Sequence, residues 1–195
     1  SSGTALMILV LLATFRWTGR ELDDKLIKNL GSYLAIFIIV VIYLIFIENV
    51  TRSYFPASYE AQRFLLLDGN KYTWIFWLGM VGCGNVFPLL ILINRRVGKS
   101  IRWIVIASIL VVVGVLTERY IIVVPAQIMP LDIMPGMELS SSFNDGKLGE
   151  YSISFVEALQ GAGITAFVFL LYVFSLKIFE LMPEKALIGE EETDK

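Results

Sequence analysis

The sequence predicts an all-α, polytopic transmembrane helical bundle, and three observations predict it. Of its 195 residues, 56% are hydrophobic and only 17% charged, and the mean hydropathy of +0.72 is too high for a domain whose whole surface faces water. The apolar residues gather into runs of about 20, the length a helix needs to cross a bilayer core. Between the runs stand polar stretches broken by Pro and Gly, as connections should be.

The first element, SSGTALMILVLLATF, enters an apolar run at once and passes into Arg16, Trp17 and Arg20. It has neither the basic lead nor the cleavage site of a secretory signal. It reads as a helix met partway along, and the chain as the C-terminal part of a longer protein. Four full spans follow, at about Asn29 to Val50, Tyr72 to Ile93, Ile101 to Val124 and Phe155 to Leu181, giving about five segments in one helical domain, 1–195.

After the second segment, ASYEAQRFLLLDGN predicts a short helix from about Ala57 to Leu67, ended by Gly69 and able to lie in the membrane interface. The third segment contains LGMVGCGNVFP. Its Gly79, Gly82 and Gly84 admit a close helix neighbour, and Pro88 withholds a hydrogen bond from the Gly84 carbonyl, predicting a kink beside Asn85. Residues 125–154 form an extracytoplasmic loop. Pro125, Pro130 and Pro135 forbid a regular helix there, while Met129, Met134 and Met137 offer adaptable apolar contacts. In the last segment Ala158, Ala162 and Ala166 form a packing stripe, and 182–195, with its GEEETDK end, is a solvated tail.

Composition also excludes functions. The balance of 16 basic and 18 acidic residues provides no field to gather nucleic acid. One cysteine, Cys83, and no histidine leave no means of holding a haem, an iron–sulfur cluster or a zinc ion within this segment. Basic residues concentrate in the first and third connections, around Arg16–Lys28 and Arg95–Arg102, so these and the C-terminus are expected on the cytoplasmic side of a cytoplasmic (inner) membrane.

Ionisable groups inside a span are costly and tend to line a bundle interior or a functional path. With that orientation Glu118 lies about 25 Å up its helix, in the outer leaflet. Glu48 and Asn49 stand near the outer end of the first full span, and Glu157 and Gln160 in the first turns of the last. Only Asn85 falls deeper, about 20 Å inward from Tyr72 at the α-helical rise. Glu118 and Arg119, about 100° apart on one helix, cannot face each other. Each therefore needs its own partner, and Glu48 and Glu157 are the acids available to Arg119.

The opening SSGTALMILVLLA, the GNVFP break, the segment ending GVLTERYIIVVP and the Pro- and Met-rich outer loop together resemble the NrfD/PsrC family of membrane subunits, in particular its DsrP type from sulfate-reduction electron-transfer complexes. The resemblance implies a cofactor-free membrane subunit of two helical bundles, of which this chain is the C-terminal half, that exchanges electrons between membrane quinone and an extracytoplasmic iron–sulfur partner within a multi-subunit complex. Reduction of a quinone couples two electrons to two protons. Where no histidine is available, a carboxylate whose affinity for protons is raised by burial is the natural proton acceptor. Glu118 is then the proton carrier, Arg119 its counter-charge and Tyr120 a hydrogen-bond donor to a menaquinone or ubiquinone carbonyl, with Glu48, Asn85, Glu157 and Gln160 as further quinone-binding candidates. Two other readings stand beside it. A secondary transporter or ion channel would place its polar groups and broken helices near the bilayer midplane, and an inert membrane anchor would do no chemistry at all.

Overall fold

The computed structural model describes residues 1–18, 23–94, 98, 100–129, 149 and 151–178, and all its regular elements are helices. They are α1 (Ser2–Thr18), α2 (Asp24–Tyr54), α3 (Pro56–Leu66), α4 (Lys71–Ile93), α5 (Ile101–Ile128) and α6 (Phe155–Ile178). Four of these, α2, α4, α5 and α6, are long and apolar enough to cross a membrane, and α1 is a shorter apolar helix. The protein is an integral membrane protein. Two compact units divide the chain, Ser1–Gly149 and Glu150–Lys195.

Local sequence sets the helix boundaries. Asp23 caps α2 by accepting the Lys25 N–H at 2.8 Å, and the 31 residues of α2 reach about 46 Å, well past a bilayer core of roughly 30 Å. Extended Phe55 and then Pro56 at the first helical position turn the chain directly into α3. Gly69, at φ 67°, supplies the left-handed turn that ends this excursion. Asn70 then does two things at once. Its Oδ1 accepts the N–H groups of Tyr72 and Thr73 at 2.9 and 3.0 Å, starting α4, and its Nδ2 donates to the Phe64 carbonyl at 3.0 Å, tying α4 back to α3.

One expectation needs correction. Helix α5 continues through Pro125 to Ile128, with Pro125 buried inside it, so the helix ends four residues later than Val124. Proline forfeits only its own donor; its carbonyl still accepts the Met129 N–H at 3.0 Å, closing the last turn. At Pro88 the helix changes its winding without ending. From Ile75 to Val86 the helix is π-wound, and α-geometry resumes at Phe87, so α4 is continuous across the proline. In the wider winding the Phe87 N–H reaches the Gly82 carbonyl, five residues back. Of the loop at 125–154, residues 130–148 and 150 lie outside the described residues, as does the tail at 182–195.

Among the described residues, the first unit has two apolar centres. Ala5 and Ile8 of α1, Ile27, Leu34 and Ile38 of α2, and Ile104 and Val111 of α5 form one. Phe76 and Met80 of α4 and Ile121 of α5 form the other. Helix α5 joins both, and its buried residues explain how. Ile104, Val111 and Pro125 repeat every seven residues, as do Ala107, Gly114, Ile121 and Ile128, so one seam of the helix faces the bundle along its whole length.

Candidate functional site

That seam passes through Glu118. It occupies the seven-residue position between Val111 and Pro125, the one ionisable side chain in an otherwise apolar or small stripe, and it is half-buried. Arg119, one residue on, is exposed, as the 100° step requires. Neither has an ion-pair partner among the described residues.

What stands opposite Glu118 is set by the crossing of α4 and α5. Gly84 and Gly114 meet main chain to main chain: a methyl group at Gly84 would lie 2.7 Å from the Gly114 Cα. Farther toward the α4 start, Gly79 meets the Thr117 side chain, and Phe76 and Met80 pack on Ile121. Beyond that, the Tyr72 and Tyr120 rings stack with centroids 6.4 Å apart at 24°. Phe64 of α3 adds a third ring 6.0 Å from Tyr72, and the Lys71 ammonium lies 5.0 Å over the Tyr72 ring. The sequence alone named Tyr120 but missed Tyr72, Phe64 and Lys71. The signal available was the pair of tyrosines near the paired ends of two antiparallel spans.

Asn85 lies beside the same crossing. It adjoins Gly84, which touches Gly114, and Gly114 lies four residues, or about 6 Å of helix, from Glu118. Asn85 is buried, and its Nδ2 donates to the Met80 carbonyl at 2.8 Å, again five residues back, so the amide belongs to the π-wound register itself.

The remaining candidates have local partners. Glu48 pairs with Arg52 one turn along its own helix at 2.7 Å, both side chains more than half exposed, which corrects the expected cross-bundle pair with Arg119. An i,i+4 partner on the same face is always within reach, whereas an interhelical partner depends on helix rotation. Asn49 donates to the Ile45 carbonyl at 2.7 Å and accepts from buried Gln62, joining α2 to α3. In the second unit Glu157 completes a capping box. Its Oε2 accepts the Ser154 N–H and the Tyr151 hydroxyl, each at 3.0 Å, while the Ser154 hydroxyl accepts from the Val156 N–H at 3.4 Å. Gln160 lies exposed one turn farther along α6. Among the described residues no cluster of His, Cys, Asp and Glu fits a metal ion.

Comparison with known proteins adds a second line of observation. Residues 1–131 match the family model of polysulphide reductase, NrfD. The chain is 38% identical over 189 residues to the Hdr-like menaquinol oxidoreductase integral membrane subunit of Archaeoglobus fulgidus, covering 96% of this chain and 48% of that protein. It is 30% identical over 180 residues to a selenate reductase subunit of Mesobacillus selenatarsenatis, covering 91% of this chain and 40% of that protein. The chain thus spans about half the length, or less, of these curated relatives. No solved structure matches it.

Proposed function

The chain belongs to the polysulphide reductase NrfD family, and from that premise we propose that it is part of the membrane subunit of a respiratory complex that exchanges electrons and protons between menaquinone and an extracytoplasmic iron–sulfur partner. The relative named as a menaquinol oxidoreductase subunit supports menaquinone over ubiquinone. The observation that carries the proposal is Glu118: a half-buried carboxylate on the packing seam of α5, without an ion-pair partner among the described residues, one helical turn from the Gly84–Gly114 crossing and two residues from a stacked tyrosine pair.

Each group then has a task. Glu118 takes or gives the proton that accompanies electron transfer. Arg119 holds a balancing positive charge at the exposed edge. Tyr120, its ring fixed by Tyr72, presents a hydroxyl as hydrogen-bond donor to a quinone carbonyl, and Asn85 places a polar group one turn deeper. The Met129, Met134 and Met137 stretch is the docking surface for the partner, and a sulfur compound is the terminal substrate. A transporter built on discontinuous helices is less well supported, because α4 runs unbroken from Lys71 to Ile93.

The test is Glu118→Gln in the assembled complex. Turnover with menaquinol should fall about 100-fold while the yield of intact complex stays normal. Loss of assembly in both Glu118→Gln and Arg119→Gln, with partial recovery in the double variant, would identify a structural ion pair instead. Normal turnover at normal yield would refute both readings.

A further inference from the structure

Away from the tyrosine stack, α1 and α5 enclose an open groove of about 650 Å³ lined by Leu9, Leu12, Phe15, Ile101 and Val105, with Arg16 and Arg102 also on its wall. That volume lies within the usual range for ligand pockets, roughly 300–1,000 Å³. We propose that this groove binds an anionic phospholipid, its phosphate between Arg16 and Arg102 and an acyl chain along the apolar wall.

Three independent features support that occupant. The first is depth. Trp17 and Trp103, 74% and 44% exposed, each adjoin one of the two arginines, and exposed tryptophan beside a span end marks the headgroup level. The groove therefore has its charged part at the depth of lipid phosphate and its apolar part at the depth of acyl chains. The second is charge. Arg102 sits in the first turn of α5, where the helix dipole disfavours a cation, no acidic residue is present in that turn, and Ser100 provides no side-chain cap. Arg16 adds a second positive charge from the last turn of α1. No carboxylate among the described residues pairs with either arginine, so the pair can receive the charge of a phosphate. The third is sequence context: Arg95, Arg96 and Lys99 immediately precede α5 and extend the basic run, the pattern that attracts anionic lipid to a membrane surface.

A phosphate diester with two acyl chains matches this site better than a neutral quinone, which would leave both guanidinium groups unanswered. It also differs from the site around Glu118, which lies 16 residues, about 24 Å of helix, from Arg102.

The experiment uses the full-length complex, extracted in a mild detergent and incubated with phosphatidylglycerol, phosphatidylcholine or inorganic phosphate, with retained lipid counted by native mass spectrometry. Phosphatidylglycerol should be retained at about one copy above background, phosphatidylcholine should not, and phosphate should not displace it. Arg16→Gln combined with Arg102→Gln should weaken retention by at least about tenfold, while Arg63→Gln on α3 should leave it unchanged. Should the double variant fail to assemble, Ala13→Trp, which fills the groove and keeps both arginines, should abolish retention alone. Equal retention of both lipids, equal retention by wild type and groove variants, or displacement of the lipid by a soluble menaquinone analogue would overturn the proposal.

Discussion

Gly84 and Gly114 pack main chain against main chain where α4 crosses α5, so neither position has room for a β-carbon. Gly114→Ala would drive a methyl group into the Gly84 backbone, which cannot yield as a side chain can, and should cost about 2 kcal/mol. Gly31→Ala is the matched comparison. Its methyl would meet side-chain atoms of Ile104, the nearest being Cδ1 at 3.3 Å, and a helical Gly→Ala change returns some chain entropy, so stability should stay within about 1 kcal/mol of wild type. Unfolding in mixed micelles measures both, and equal losses would mean the crossing is looser than described.

The stack of Tyr120 on Tyr72 separates the ring from the hydroxyl. Tyr120→Phe keeps the stacked ring and should leave stability unchanged while raising the KM for menaquinol or lowering turnover. Tyr120→Leu should in addition lose about 1 kcal/mol of stability. A Tyr120→Phe variant with wild-type kinetics would remove the hydroxyl from the site.

The capping box at the start of α6 predicts an asymmetry between its two members. Ser154→Ala leaves the Val156 N–H without its acceptor and should destabilise the helix start by about 1 kcal/mol. Glu157→Gln preserves an oxygen for the Ser154 N–H and Tyr151 hydroxyl, and should be nearly neutral in stability and in turnover. A large kinetic defect in Glu157→Gln would return this residue to the quinone site.

Topology is tested by cysteine labelling in a Cys83→Ser background. With the basic connections inside, Lys147→Cys should react with an impermeant maleimide in intact cells and Lys99→Cys only after permeabilisation. The reverse pattern would put the Tyr72–Tyr120 end of the bundle on the cytoplasmic face.

The spans were legible in the sequence because a bilayer imposes length and apolarity on any helix that crosses it, and those are properties of composition. Glu118 was legible for the same reason, since a lone carboxylate in such a run is conspicuous. Glu48 was misread because its neighbour Arg52 lies one turn on, in the polar stretch that the length rule assigned to a loop but that continues α2 to Tyr54. The Tyr72–Tyr120 stack and the Asn49–Gln62 link depend on how helices rotate about their axes and how α3 folds back, which no local pattern fixes. The winding of α4 around Asn85 was not legible either. The π-wound stretch changes the rise and the angular step together, and GMVGCGN carries no composition cue for such winding beyond its glycines.

That winding has a bearing on how the protein can diverge. A π turn holds a residue that an α turn would not, so deleting one residue between Phe76 and Gly79 can be absorbed by letting one turn revert to α-geometry, with both flanks kept in phase. The same deletion in α5 between Gly114 and Pro125 has no such outlet. It would rotate everything beyond it by about 100° and swing Ile121 and Pro125 off the seam. Single-residue length changes are therefore permitted in one of the two crossing helices and forbidden in the other, and the helix whose spacing is fixed is the one that carries Glu118.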